Sequence, residues 1–270
     1  MKYAGVISRS ALCLVLVICG PAFGQDQPSQ TPYEIRLKPD LLTFGAASGL
    51  ALLPVFLNNV QRSCPPCSAS NVNAFDRGTA GRRNDTIDKI STGAVAAAVG
   101  WPAAAMFLDA NTSKGALVDG LVTGQAVLVN VAINQMVKYG VHRPRPFVYS
   151  LKPDDDLLKE NDTYYSFYSQ HTSVVFAAGI SYARTYALRH PRSRRRWVVY
   201  TAVIGGGSAV GSMRVLAGRH FPTDVLTGGA VGTSMGLLIP WLHRKSTVPG
   251  LTVVPVPSGA AVSLQVPFGN

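Results

Sequence analysis

Arg214-Val-Leu-Ala-Gly-Arg-His220-Phe-Pro-Thr-Asp224 joins two apolar stretches, 198–217 and 225–242, and the reading of this junction decides the fold. Four more apolar segments precede it, at 41–57, 93–108, 115–137 and 172–187. Their lengths suit helices rather than strands. Short polar connections separate most of them, which predicts antiparallel neighbours. The longest interruption after residue 91 is 142–170, rich in Pro, Asp and Tyr, between the third and fourth segments. The expected fold is all-α: an antiparallel bundle of about six helices, with a short C-terminal β-hairpin. Leu251–Val256 and Ala261–Val266 suggest that hairpin, as β-branched apolar runs around Pro257-Ser258-Gly259. Gly228, Gly232 and Gly236 fall four apart, as do Gly207 and Gly211, lining small residues along one helix face for close packing. Gly205-Gly206-Gly207 has no strand before it and no Lys-Ser/Thr after it, so it is not read as a phosphate cradle.

Composition narrows the class. Of 270 residues, 47% are hydrophobic and 14% charged. Ordinary soluble domains carry roughly 25% charged residues. The chain therefore leans towards a membrane protein or a very apolar bundle, and away from disorder. The formal net charge of +11 favours anionic partners: nucleic acid, an acidic lipid surface or a phosphorylated substrate. Nucleic acid is the weakest of these, because the basic residues gather at helix ends and no recognition fold is visible.

The expected organisation has four parts. Residues 1–24 read as a signal peptide: Lys2 and Arg9 flank the start, Ala11–Cys19 is apolar, and Ala22-Phe23-Gly24 offers a cleavage site before Gln25. The apolar run is shorter than the ~20 residues of a span, which favours cleavage over an uncleaved anchor. Residues 25–90 hold an N-terminal linker, the first helix and a Cys-Pro-Pro-Cys loop. Residues 91–245 form the helical domain that carries the chemistry, and 246–270 the hairpin tail. Cys13 and Cys19 lie in the signal. Cys64 and Cys67 read as a local disulfide in an oxidising compartment, since neither a thioredoxin-like context nor a second ligand pair for zinc accompanies them.

Three clusters sit at helix edges. Lys138 to Arg145 and Pro146 ends the third segment, Tyr168-Ser-Gln-His-Thr172 starts the fourth, and Arg214 to Asp224 bridges the fifth and sixth. In an antiparallel bundle these positions share one end. Singly, each His or Arg is more often structural or solvated than functional. Together they bring Lys138, Arg145, Arg214, two histidines and a carboxylate to one place. Phosphoryl transfer needs such cations for the charge on the phosphoryl oxygens. Ser169 and the free N–H groups of the helix start add donors. His220 can act as a nucleophile with Asp224 to fix its tautomer, and His171 can protonate the leaving oxygen and then activate water.

These residues resemble the type 2 phosphatidic acid phosphatase and vanadium haloperoxidase superfamily. Its signature runs Lys-x6-Arg-Pro, then Pro-Ser-Gly-His, then Ser-Arg-x5-His-x3-Asp. Lys138, Arg145 and Pro146 fit the first, and Arg214, His220 and Asp224 the third. The second fits in part: Ser169 and His171 match, while Tyr168 replaces Pro and Gln170 replaces Gly. Met213 stands where the signature has Ser. The resemblance spans about residues 90–245. It implies that His220 attacks phosphorus to form a phosphohistidine, that Asp224 orients it, and that His171 is the general acid and later the base. Lys138, Arg145, Ser169, Arg214 and the backbone N–H of Gln170 would hold the phosphate, with no metal or other cofactor. Gln170 in place of Gly puts rate and substrate size in question more than reaction class. His142 and Arg143 are outside the motif and read as added positive potential at the mouth. Asp154-Asp155-Asp156 reads as a solvated acidic loop.

The implied partners are a phosphorylated lipid or a small phosphomonoester, and a membrane. The rivals are a vanadate-dependent haloperoxidase and a non-catalytic binder of an anion or lipid headgroup. The basic stretches 188–196 and 243–245 lie at the end opposite the clusters. The positive-inside rule then faces the site to the exterior of a bacterial-type cell envelope. Two features pull the other way. Asp119, Gln125, Asn130, Asn134, Gln135 and Arg184 lie within apolar segments. Parity is the second: a cleaved signal starts the chain outside, and three spans before Lys138 would end inside.

Overall fold

The computed structural model describes residues 31–56, 64, 67–110, 112–152 and 154–245, and the backbone of 250–256 and 259–265. The signal segment lies outside the described residues, and with it Cys13 and Cys19. The described chain is mostly helical: α1 Leu37–Phe56, α2 Ala74–Arg77, α3 Asp85–Asp109, α4 Ser113–Val141, α5 Gln170–Arg189, α6 Arg195–Leu216 and α7 Pro222–Leu242. Six are long and α2 is a single turn. Asn84 caps α3, Thr112 caps α4 and Ser169 caps α5, each through its side-chain oxygen. His142 ends α4 in the left-handed region (φ 48°).

Helix α5 is central, packed against α3, α4, α6 and α7, while α1 lies on α4. The glycine stripe of α7 explains how closely α7 can approach. A Cβ at Gly232 would stand 2.2 Å from the Ser173 carbonyl oxygen, and at Gly228 2.6 Å from that of Ser169. A Cβ at Gly211 would likewise stand 2.5 Å from a Val225 methyl carbon.

The polar residues of α4 that argued against a membrane are folded inward. Asp119, Gln125, Asn130 and Asn134 are buried. Asn130 donates to Ser173 Oγ at 2.9 Å, and Asn134 to the Tyr168 carbonyl at 2.8 Å. Leu117, Leu121, Phe107, Leu108, Trp197, Leu226 and Trp241 are exposed instead. An apolar exterior around hydrogen-bonded polar groups suits a chain whose solvent is lipid. Among the described residues, three helical stretches are long and apolar enough to cross a membrane: Asp85–Asp109, Ser113–Ser150 and Pro222–Leu242. The protein is a membrane protein.

The chain's first described residues have a defined place in the bundle. Thr31 Oγ1 donates to Asp119 at the start of α4 (2.6 Å). Glu34 N–H bonds the His243 carbonyl, and Asp40 bonds the His243 ring at 2.8 Å. Residues 31–40 therefore sit at the basic end, beside Arg189 and Arg244. Helices α1, α3 and α4 then make three passes that finish with Lys138 at the far end.

The segment before α3 is also more than a linker. A disulfide joins Cys64 and Cys67. Gly81 N–H bonds the Pro146 carbonyl, Asn84 N–H that of Ala217, and Phe147 N–H that of Gly218. Gly218 has φ +73°, and a Cβ there would lie 1.8 Å from the Arg82 carbonyl oxygen, so only glycine fits. These bonds lace 73–84 onto the loops that carry the sequence clusters.

Candidate active site

At one end of the bundle the C-termini of α4 and α6 meet the N-termini of α3, α5 and α7. A cavity of about 280 Å³ opens there, lined by Asp88, Thr92, Lys138, Arg145, Asp162, Gln170, His171, Arg214, Arg219 and His220. Six of the eight expected catalytic and phosphate-holding residues line it. Asp224 stands behind His220. Ser169 does not reach the cavity: it is buried, and its Oγ caps α5 by accepting from Thr172 N–H at 3.4 Å.

His220 is fully buried in the turn before α7. Its Nδ1 lies 2.7 Å from the Ser166 carbonyl oxygen. A carbonyl only accepts, so Nδ1 carries the proton and Nε2 keeps its lone pair. Burial pushes the imidazole down to about 3, with Asp224 opposing the shift, so the ring is neutral at neutral pH. Asp224 was expected to orient His220 directly. Its Oδ2 is 3.7 Å from Nδ1 and accepts instead from Ser166 Oγ (2.5 Å) and Phe221 N–H (2.8 Å). The Ser166 carbonyl orients the ring, and Asp224 supplies a charge beneath it.

Each arginine of the cavity is held by a carboxylate that the sequence reading did not single out. Arg145 pairs both oxygens of Asp162 at 2.7 Å. Burial raises the Asp162 carboxyl, but Arg145 and Lys138 outweigh it and hold it below the usual range. Arg214 meets Asp88 at 2.5 Å and Ser91 at 2.9 Å, and Arg219 shares Asp88 at 2.7 Å. Among the described residues Lys138 has only a long contact, 3.5 Å, to Gln170 Oε1. The cavity thus presents four cations against two carboxylates, a surplus suited to a phosphate dianion.

Arg143 departs from its expected place at the mouth. It lies over the Phe221 ring, 4.1 Å to the centroid, and donates to Asp224 at 2.6 Å and Asp76 at 2.7 Å. Asp76 gave no motif signal, because its partners are distant in sequence. Asp88 and Asp162 escaped notice for the same reason. Arg219 stood inside the third cluster and could have been found there. Of the Asp154–Asp156 loop, Asp156 pairs only with exposed Lys159, as a solvated loop would.

Residues 120–247 match the model of the PAP2 superfamily. The protein is a phosphoric ester hydrolase. No curated protein matches the chain. Among solved structures it is similar to the first transmembrane PAP2 type phosphatidylglycerolphosphate phosphatase from Bacillus subtilis. That likeness has 24% identity and a TM-score of 0.45, over 75% of this chain and 94% of that one.

Proposed function

We propose that the protein hydrolyses a phosphate monoester or pyrophosphate of a lipid, without a metal, through a phosphohistidine. The observation that carries this reading is the His220 tautomer at the wall of a cation-rich cavity. Nε2 is the one ring nitrogen free to attack, and the Ser166 carbonyl leaves it no other form. In the first step the Nε2 lone pair forms the N–P bond while the P–O bond to the alkoxide breaks. His171, held down to about 4 by burial and by Arg214 and Arg145, takes up a proton as the phosphate dianion enters among those cations, and gives that proton to the leaving oxygen. In the second step His171 takes a proton from water, the water oxygen bonds phosphorus, and the N–P bond breaks to return His220 and release phosphate. Lys138, Arg145, Arg214 and the Gln170 N–H hold the phosphoryl oxygens throughout. The substrate must displace part of the Asp162 and Asp88 pairing to reach Arg145 and Arg214. Ser169 serves by fixing the start of α5, so that the Gln170 and His171 backbone stays in place.

The apolar outer faces beside the cavity support a lipid as the carrier of the phosphate. Exposed Trp197 and Trp241 stand at the opposite end with the basic residues of 189–196, as interfacial residues do. We read that end as cytoplasmic and the site as facing the periplasm or exterior of a bacterial-type envelope. Residues 31–40 are then on the cytoplasmic side. The tail is read as an antiparallel hairpin, Gly250–Val256 against Gly259–Gln265.

The test is phosphate release by the purified chain from phosphatidic acid, an isoprenyl pyrophosphate and p-nitrophenyl phosphate, with EDTA present. Activity in EDTA that vanishes in His220→Ala is the expected result. A folded, inactive parent would favour a headgroup-binding protein, and vanadate-dependent halide oxidation a haloperoxidase.

A further inference from the structure

Behind His220 lies a buried chain of charge that the mechanism above does not use. Asp224 and Asp76 are both fully buried, 0% exposed, and Arg143 bridges them. Asp76 comes from α2, far upstream of every motif. It accepts from Arg143 (2.7 Å), Thr223 N–H (3.0 Å), Thr223 Oγ1 (2.5 Å) and Asn73 Nδ2 (2.7 Å). Neither Arg143 nor Asp76 lines the cavity, so neither touches substrate.

The charges decide what this chain does. Arg143 alone beside Asp224 would neutralise it, and the carboxylate beneath His220 would be spent before the reaction began. With Asp76 added, two carboxylates share one guanidinium, and the group keeps one net negative charge. The resting His220 is neutral and leaves that charge unmatched. Attack on phosphorus makes the ring cationic, and the match is then complete. Interactions that strengthen only as charge develops are the ones that accelerate a reaction.

We infer that Asp76 and Arg143 are positioning residues that hold Asp224 in place and keep it negative, so that it stabilises the cationic ring of the phosphorylated His220. The inference rests on the phosphohistidine reading. It makes segment 73–84 a functional part of the site.

The test uses the full chain in detergent micelles with p-nitrophenyl phosphate and phosphatidic acid as probes. Asp76→Asn keeps the shape and removes the charge. Its kcat is expected to fall about 10- to 100-fold, the scale of one charge-assisted contact, with KM nearly unchanged. Arg143→Gln, which lets Asp224 drift, should also lower kcat. The double variant Asp76→Asn/Arg143→Gln restores a single net negative charge, and its kcat should exceed that of either single variant. A mere structural tie would instead show as a lower melting temperature in the single variants, relieved in the double, with the kcat of the folded fraction unchanged. Thermal unfolding of all three in the same detergent shows whether each is folded. If His220→Ala stays active or the parent turns over neither probe, the phosphohistidine reading falls, and this inference with it. If His220→Ala is dead while Asp76→Asn keeps its kcat, or the double variant shows no recovery, only the inference is overturned.

Discussion

The two ends of the bundle both bury arginine against aspartate, and to opposite effect. At the basic end Arg189 pairs with Asp119, both almost fully buried, and Asp119 also accepts from Thr31. His243 meets Asp40 and His190 meets Asp109 nearby. There each of these buried groups has its partner within the protein, and the cluster clasps the N-terminal segment to the helix ends. At the site end Arg145, Arg214, Arg219 and Lys138 share two carboxylates around an open cavity. The same chemistry is a closed clasp at one end and an unbalanced cage at the other. What separates them is a cation surplus and access, not residue type.

The sharpest way to test that contrast is at the nucleophile. His220→Ala should cut kcat by about 10⁴-fold, as losses of a covalent nucleophile do, without a comparable loss of melting temperature. Retained turnover would place the cage with the clasp as mere structure.

Next is the clasp itself. Arg189→Met leaves Asp119 buried and unpaired, and should destabilise by about 3–5 kcal/mol. The molecules that stay folded should keep their kcat. Thermal unfolding and turnover on the same sample decide it, and a selective loss of kcat would erase the distinction between the ends.

Lys138→Ala removes the cavity cation without a carboxylate partner. Its kcat/KM should fall about 10²-fold, with stability little changed or improved, because the cage loses repulsion. Loss of stability with unchanged kcat/KM would mean that Lys138 belongs to a balanced cluster.

The smallest of these effects comes from acid. His220 has a folded-state value of about 3 against 6.5 for the free side chain. Between those values the unfolded chain binds the proton and the folded one does not. This contribution to stability is present above about pH 6.5 and lost as pH falls towards 3. Melting temperature should therefore drop from pH 7 to pH 5 less in a folded His220→Gln variant than in the parent. An equal drop in both would show that burial does not hold His220 neutral.

How far the sequence could be read follows from where each signal lives. Helix existence and antiparallel order came from runs of apolar residues and short connections, which are local properties. The cavity's Lys138, Arg145, His171, Arg214 and His220 stood in short motifs at helix ends, where topology alone brings them together. Gly228, Gly232 and Gly236 announced a close packing face, and the α5 backbone fills it. Ser169 shows the limit of motif reading, because its side chain caps a helix and does not face the cavity.

Other features had no local trace. Nothing beside Asp76 in sequence hints at Arg143, 67 positions away, or at Thr223. The inward turn of Asn130 and Asn134 depends on which face α5 covers. Linear hydropathy counts such residues against a membrane, whereas the packed interior gives their amide nitrogens partners in Ser173 and the Tyr168 carbonyl. The sequence by itself determined the helices, their order and the end at which the reactive groups gather, because those follow from chain-local apolarity and spacing. Only the tertiary structure decided which carboxylate restrains which arginine, which nitrogen of His220 is free, and on which end residues 31–40 lie. Those depend on contacts between segments far apart in the chain, and a Coulomb or hydrogen-bond partner is selected by distance in space.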